Sequence, residues 1–326
     1  MKQQTSKRIM ITGAAGYLGR LICQRLMDQI QEGAPFLLFG TDIQENPFPK
    51  AGPYWNYLQT DIRSASVLGW MADQQIEVLY HLAAILSPPP GMSRATQHEI
   101  DVLATQHLIR KGLQHQLRRC IVTSSGAAYG YRADNPRWLK EEHPLRPNED
   151  YAYSWHKYLV EEFLQQQLKK HPGFEVFTFR VGTILGETTN NPITQMMQRD
   201  PVILVKESET PFVAIWDRDV VNIFEKALNH PIPGIYNVAG DGVIPLAEIA
   251  AWQGSKVKRF SSRGLKRLFW WLKTLRLSPY GPDQVKFIEF RPVLDNTKLK
   301  TVFGYTPEKN SAEVIRFYLN AQNRLQ

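Results

Sequence analysis

Cysteine and long apolar runs are scarce in this chain. Its 326 residues contain two cysteines, Cys23 and Cys120, and neither has a spacing typical of metal ligands or redox pairs. We interpret both as buried free thiols, because free cysteine behaves as a small hydrophobic residue. No apolar run approaches the ~20 residues that cross a bilayer, and residues 2–8 lack the hydrophobic region of a secretory signal. We therefore expect a cytoplasmic protein without a bound metal.

Acidic residues are absent from one segment, 255–282, which contains eight basic residues. The formal net charge of +8 would by itself suggest a nucleic-acid partner. Removing these eight from the 39 basic residues leaves 31, which balances the 31 acidic residues of the protein. The rest of the chain is formally neutral and offers no second basic surface, so we expect no nucleic-acid partner.

The basic segment also carries an apolar stripe. Its leucines and phenylalanine recur at helical spacing, with two tryptophans at the edges: Leu265, Leu268, Phe269, Trp270, Trp271, Leu272 and Leu275. This composition predicts an interfacial amphipathic helix, which would place the protein peripherally at the inner membrane surface, or a lid over an apolar substrate. An ordinary core-packing helix with a solvated basic face is an equal alternative.

Short β-like runs alternate with amphipathic helical stretches over the first 180 residues. The predicted strands are 8–12, 36–41, 56–60, 77–82, 118–123 and 174–180, with a later one at 233–238. This alternation predicts an α/β fold in which helices cover both faces of a parallel sheet.

A glycine-rich turn joins the first strand to the first helix. Gly13, Gly16 and Gly19 follow Thr12, and glycines at such a turn let backbone N–H groups approach a pyrophosphate at the helix N-terminus. The second strand ends at Asp42, 23 residues past Gly19, near the offset at which an acidic side chain bonds the ribose 2′-hydroxyl of a dinucleotide. Because this carboxylate would repel a 2′-phosphate, the pattern predicts NAD rather than NADP.

Five stretches together resemble the extended short-chain dehydrogenase/reductase family, which includes the NAD-dependent epimerases and dehydratases, UDP-galactose 4-epimerase among them, and the 3β-hydroxysteroid dehydrogenases. They are the glycine turn at 12–19, Asp61-Ile62, His-Leu-Ala-Ala at 81–84, Val-Thr-Ser-Ser-Gly-Ala-Ala-Tyr-Gly at 122–130 and Tyr-Ser-Trp-His-Lys at 153–157. The resemblance implies a Rossmann doubly wound parallel sheet in 1–181, with a return segment near 212–254. A smaller C-terminal substrate-binding lobe would lie mainly in 182–326.

The resemblance also implies the residues of the site. The catalytic residues would be Ser125, Tyr153 and Lys157. The NAD-binding residues would be Thr12, Gly13, Gly16, Tyr17, Leu18, Gly19, Asp42, Asp61, Ile62, Leu82, Ala83 and Ala84, together with Tyr153 and Lys157.

Tyr153 and Lys157 are four residues apart, so on a helix both project from the same face. A tyrosine hydroxyl has a reference pKa near 10, and a nearby ammonium favours the phenolate that a base requires. Tyr153 would take the proton of a substrate hydroxyl while hydride leaves the same carbon, and Ser125 would hold the oxygen. Tyr151 is a weaker candidate because no lysine follows it at that offset. Ser124 competes with Ser125, but counting back four residues from the motif tyrosine selects Ser125.

Two departures from the family pattern matter. Asp101 occupies what resembles the position of an active-site asparagine, which puts a proton relay through that asparagine in doubt. Gly126 and Ala127 stand where dehydratases carry an Asp-Glu pair, so dehydration is not expected. No acid or metal-ligand constellation accompanies the histidines in the sequence, so we interpret His81, His143 and His156 as structural or solvated.

The substrate residues match the sugar-nucleotide epimerases only in part. Thr183 stands where the family has an asparagine and Phe212 where it has an arginine, whereas Arg291 matches a second phosphate-binding arginine; Ser124 is a further substrate candidate. Lost charged contacts typically cost more than ~1.5 kcal/mol each. We therefore expect apolar secondary alcohols or lipid-attached sugars to be converted better than UDP-glucose or UDP-galactose.

These observations predict an NAD-dependent enzyme that oxidises a secondary alcohol, either releasing the ketone or returning the hydride as an epimerase does. The alternatives are a hydroxysteroid-dehydrogenase-like activity on a lipid alcohol and a non-catalytic NAD-binding regulator. The expected partner is a small-molecule substrate, and a homodimer stays open.

Overall fold

The computed structural model describes residues 6–275, 281 and 285–325. Its strands are β1 (Lys7–Thr12), β2 (Phe36–Asp42), β3 (Trp55–Gln59), β4 (Val78–His81), β5 (Arg119–Ser125), β6 (Glu175–Val181), β7 (Thr183–Leu185), β8 (Val202–Val205), β9 (Pro211–Phe212), β10 (Ala214–Trp216), β11 (Gly234–Val238), β12 (Ile244–Pro245) and β13 (Val257–Phe260). One sheet contains seven of them in the order β11-β6-β5-β4-β1-β2-β3. Strand β1 pairs in parallel with both β2 and β4.

The helices of the described residues are α1 (Tyr17–Gln31), α2 (Ala65–Asp73), α3 (Arg94–His98), α4 (Ala104–Leu113), α5 (Ala152–Lys170), α6 (Pro192–Met197), α7 (Asp217–Ala227), α8 (Leu246–Trp252), α9 (Ser262–Thr274), α10 (Val285–Glu289), α11 (Thr297–Thr301) and α12 (Ser311–Ala321). A π-helical turn at Glu99–Leu103 joins α3 to α4, and a 3-10 turn at Gly126–Tyr129 follows β5. Within the described residues, no helix combines the length and the hydropathy that crossing a bilayer requires.

The prediction of a doubly wound parallel sheet is confirmed. Helices follow β1, β3, β4 and β5, and the strand order reverses between β1 and β4, which lie side by side although two strands intervene in the chain. The central strands are buried on both faces: Ile9, Met10 and Ile11 have no exposed surface, which explains the continuous apolar run of β1. Ligands of such sheets bind outside the carboxyl ends of the strands at this reversal.

The chain divides into two compact units. The first consists of Met1–Ser125, Ala152–Arg180 and Val221–Tyr236. Its core is formed by apolar side chains of the central strands and of α2, α4 and α5. Cys120 belongs to this core, and both cysteines are buried free thiols, as the sequence suggests. Burial raises the pKa of each thiol well above its usual range.

The second unit consists of Gly126–Tyr151, Val181–Val220 and Asn237–Gln326. Three short strand pairs lie in it: β7 with β10 and β8 with β13 in parallel, and β9 with β12 antiparallel. The segment 126–151, which follows β5, belongs to this unit, and Leu139 in it forms an isolated β-bridge with Leu294. The helix predicted in the basic segment is α9, and the end of that segment, 276–280 and 282, lies outside the described residues.

Candidate active site

The glycine turn connects β1 to α1 at the carboxyl end of the central strands. Gly13 has a φ of +70°, and a Cβ there would lie 2.8 Å from the backbone nitrogen of Ala83. At Gly19 a Cβ would lie 2.0 Å from the carbonyl oxygen of Gly13. Both positions therefore require glycine, one for conformation and close approach and the other for packing the helix on the turn.

The N-terminus of α1 suits an anion. Its N-cap residue, Gly16, forms no side-chain cap hydrogen bond, and its first turn, which begins with Tyr17 and Leu18, contains no acidic residue. The N–H groups of a helix N-terminus and the helix dipole together favour a phosphate at such a place.

Two carboxylates follow neighbouring strands at the same edge of the sheet. Asp42 ends β2, and its Oδ2 accepts a hydrogen bond of 3.1 Å from the N–H of Ala15 in the glycine turn. Asp61 follows β3 and is paired with Arg63 at 2.7 Å, which holds the pKa of that carboxyl below its usual range. Ile62 beside it is buried in the core. Asp42 thus lies beside the glycine turn, where the sequence pattern predicts a carboxylate that bonds the ribose.

Tyr153 and Lys157 lie on one face of α5, as their spacing predicts. The Lys157 Nζ is 5.6 Å from the centre of the Tyr153 ring and donates a 2.7 Å hydrogen bond to the carbonyl oxygen of Thr123. Both side chains line a cavity together with Ala83 and Ala84, which follow β4. The structure therefore brings the predicted catalytic pair and part of the predicted cofactor site to one cavity of the first unit.

The two serines that end β5 have different surroundings. The hydroxyl of Ser124 is buried and donates a 2.5 Å hydrogen bond to Glu161 of α5. Glu161 in turn is paired with Arg180 at 2.7 Å, and both of these side chains are almost fully buried. Ser124 therefore bonds a buried ion pair, whereas Ser125, the last residue of β5, is only partly buried. This placement favours Ser125 over Ser124 as the catalytic serine.

The histidines separate into two kinds. His81 is buried between the hydroxyls of Thr12 and Thr105, at 2.9 and 2.7 Å, and burial lowers its pKa to about 3. It is a structural residue, in line with its sequence interpretation.

The interpretation of His156 was wrong in one respect, because an acid does accompany it. Its Nδ1 lies 2.9 Å from Oδ2 of Asp101, and both side chains are buried. The partners are 55 positions apart in the chain, so no local spacing could have indicated the pair.

The second unit contains three of the substrate candidates, and two of them, Phe212 and Arg291, are in contact. Thr183 donates its backbone N–H to the carbonyl oxygen of Val213, and Phe212 is fully buried. The guanidinium of Arg291 lies 4.0 Å from the centre of the Phe212 ring. Burial lowers the pKa of Arg291, and among the described residues no carboxylate pairs with it.

A family model for the NAD dependent epimerase/dehydratase family matches residues 9–239. This range contains the glycine turn, β5 with its two serines, and α5 with Tyr153 and Lys157. The chain belongs to this family. Membership confirms the predictions of an extended short-chain dehydrogenase/reductase, of an enzyme, and of NAD as its cofactor.

Individual relatives are distant but cover nearly the whole chain. An uncharacterized protein of Mycobacterium tuberculosis is 18% identical over 98% of this chain and 85% of its own. Among solved structures, the enzyme WbmG of Bordetella bronchiseptica in complex with NAD has a TM-score of 0.74 at 17% identity, covering 99% of this chain and 96% of the other. UDP-glucose 4-epimerase of Thermotoga maritima with UDP-glucose has a TM-score of 0.73 at 16% identity, covering 97% and 98%. At these identities the likeness establishes the fold.

The position of Asp42 beside the glycine turn predicts how the enzyme discriminates between cofactors. We expect NAD(H) to bind at least tenfold more tightly than NADP(H), a difference of about 1.4 kcal/mol, because the carboxylate accepts from a ribose hydroxyl and repels a phosphate. Calorimetric titration with both cofactors measures the ratio. Equal affinities, or a preference for NADP(H), would remove the role given to Asp42.

Proposed function

We propose that the protein transfers hydride between NAD and a secondary alcohol carbon of its substrate, as a dehydrogenase or as an epimerase. The observation that carries this proposal is the placement of Lys157 and Tyr153 on one face of α5 in a cavity shared with Ala83 and Ala84. The N-terminus of α1, whose first turn has no acidic residue, fits the pyrophosphate of a dinucleotide, and the carboxylate of Asp42 fits its ribose.

Each catalytic residue has one task in this reaction. Bound NAD supplies the hydride acceptor, and the protein orients the reacting groups around it. Tyr153 accepts the proton of the substrate hydroxyl on its phenolate oxygen, and Ser125 donates a hydrogen bond to the oxygen that becomes the carbonyl. Lys157 stabilises the phenolate by its positive charge. Gly126 and Ala127 supply no acid or base, so this proposal does not include dehydration.

Replacing Tyr153 with phenylalanine removes the proton acceptor and preserves most of the ring volume. We expect Tyr153→Phe to bind NAD like the wild type in calorimetry and to lose at least a hundredfold in turnover, the usual contribution of general base catalysis. Tyr158→Phe, five residues further along α5, is the matched control and should keep its turnover. Near wild-type turnover by Tyr153→Phe would show that another group is the base.

For the substrate, we propose a sugar that carries a phosphate, and within that class one linked through phosphate to a lipid. Arg291 supports the phosphate: it is a partly buried cation stacked on Phe212 and near the aromatic side chains of Tyr131 and Tyr151, and an ionised phosphate would form charge-assisted hydrogen bonds with its guanidinium. The structures of MoeE5 with UDP-glucose and NAD and of the Thermotoga maritima epimerase with UDP-glucose support a sugar. The replacements Thr183 and Phe212 favour a lipid carrier over a uridine.

Substrate class is tested by comparing a polyprenyl-phosphate sugar with UDP-glucose, each with NAD, and separating the products by chromatography because an epimerase leaves no net NADH. We expect the lipid-linked sugar to be converted with the higher kcat/KM. Arg291→Gln should raise the KM for the lipid-linked sugar at least tenfold, because the phosphate of this substrate loses a charged partner. Arg316→Gln is the control, since Arg316 also stacks on a ring, Trp252, but lies on the surface. Efficient interconversion of UDP-glucose and UDP-galactose would return the substrate to the sugar-nucleotide class.

A second proposal concerns the basic helix α9 and a membrane surface. One side of α9 packs into the protein. Leu265 on this side has no exposed surface and belongs to a hydrophobic core cluster, and Phe269 packs against that cluster. The other side leaves Trp270, Trp271 and Leu275 between 51% and 59% exposed. Four basic residues of α9 are exposed without an ion pair to any described residue: Arg263, Lys266, Arg267 and Lys273. Exposed tryptophans among unpaired cations fit the interface of an anionic bilayer.

Vesicle sedimentation tests this surface. We expect binding to vesicles of phosphatidylserine and phosphatidylcholine but not of phosphatidylcholine alone, and weakening as salt is raised, because screening shortens the reach of the charges. The double variant Trp270→Ser/Trp271→Ser should bind at least tenfold more weakly. The control, Ile232→Ser/Val302→Ser, removes exposed apolar side chains elsewhere. Sedimentation that does not depend on lipid charge would contradict the proposal.

A further inference from the structure

A buried acid and a buried histidine remain without a task in the proposed reaction. Asp101 is 7% exposed and His156 2%. Oδ2 of Asp101 lies 2.9 Å from Nδ1 of His156, and Oδ1 accepts a 2.9 Å hydrogen bond from the N–H of Ile85. Oδ1 thus accepts from a backbone donor, and Oδ2 can accept a hydrogen bond from Nδ1 of His156.

The pair lies at the candidate site. Asp101 and His156 line the same cavity as Tyr153 and Lys157, and His156 immediately precedes Lys157 on α5. Asp101 lies in the π-helical turn between α3 and α4, a type of helix insertion that is frequent at functional sites. Its contacts with Ile85 and His156 connect the loop after β4 to the turn of α5 that carries Lys157.

Lys157 needs a negative charge that its own contacts do not provide. Its hydrogen bond goes to a neutral carbonyl oxygen, and no carboxylate of the described residues pairs with it directly. Burial lowers the pKa of Lys157, which the charges of Asp101 and Glu161 oppose. Glu161 is committed to Arg180 at 2.7 Å. Asp101 is the carboxylate near Lys157 whose partner is a histidine rather than an arginine.

We propose that Asp101 and His156 are positioning residues for Lys157: the Asp101 carboxylate supplies a negative charge beside the Lys157 ammonium, and the contact with His156 holds that carboxylate in place. The inference rests on the proposed function in one respect, that the positive charge of Lys157 stabilises the phenolate of Tyr153. The other titratable groups facing Lys157 are His81 on β4 and Tyr153 and Glu161 on α5, and those facing Asp101 also include His98 on α3.

The test measures the pKa of Lys157 directly, without substrate. Protein labelled with ¹³C-lysine is titrated by NMR, and the Lys157 signal is assigned by its loss in Lys157→Arg. We expect Asp101→Asn to lower the measured pKa of Lys157 by about one unit, the lower end of the effect of a nearby opposite charge. Glu99→Gln removes an exposed carboxylate from the same π-helical turn and should leave it unchanged. An Asp101→Asn protein that folds and keeps the wild-type pKa of Lys157 would overturn the proposal.

His156 provides a second pair of variants that does not depend on Asp101→Asn folding. His156→Leu removes the contact that holds the Asp101 carboxylate in place, so the pKa of Lys157 should fall as in Asp101→Asn. His156→Gln retains a donor and should keep the pKa of Lys157 within about 0.3 units of the wild type, an interval set well below the expected one-unit shift. The same pKa in both variants would contradict the role of His156. These titrations do not depend on turnover. The proposed reaction is tested separately by the turnover of Tyr153→Phe, so the two proposals can fail independently.

Discussion

The close approach of the glycine turn to the end of β4 is the constraint on which the site depends. With no Cβ at Gly13, the turn reaches the backbone of Ala83, and Thr12 bonds His81 on the neighbouring strand. Strands β1 and β4 are thereby joined where the order of the sheet reverses. The residues after β4 then line the cavity of Tyr153 and Lys157. A cofactor bound at the turn would therefore lie beside α5.

Much of the first unit could be predicted from the sequence because its signals are local. The apolar runs of the central strands, the glycine spacing and the Tyr-x-x-x-Lys spacing each report a short-range rule of backbone or helix geometry. The predicted strands at 8–12, 36–41 and 56–60 agree with β1, β2 and β3 to within one residue at each end. The relation between Asp42 and the glycine turn was also predictable, since parallel strands end at a common edge.

The remaining features of the site come from pairs that are distant in the chain. Asp101 meets His156, and Glu161 meets Arg180 and Ser124, only because the fold brings the π-helical turn, α5, β5 and β6 together. No periodicity relates such partners, so an acid for His156 was missed. The stacking of Arg291 on Phe212 was likewise not predictable. The sequence indicated that Phe212 replaces one arginine of the family and that Arg291 matches another, but not that the two side chains are in contact.

The burial of the two cysteines has a consequence for how the enzyme responds to its surroundings. Both thiols are shielded by the core, and burial strongly disfavours the thiolate, the form that reacts with peroxides, disulfides and alkylating reagents. Oxidative stress therefore has no exposed cysteine on which to act. Reagents that modify accessible thiols should therefore leave both cysteines of the folded protein unchanged.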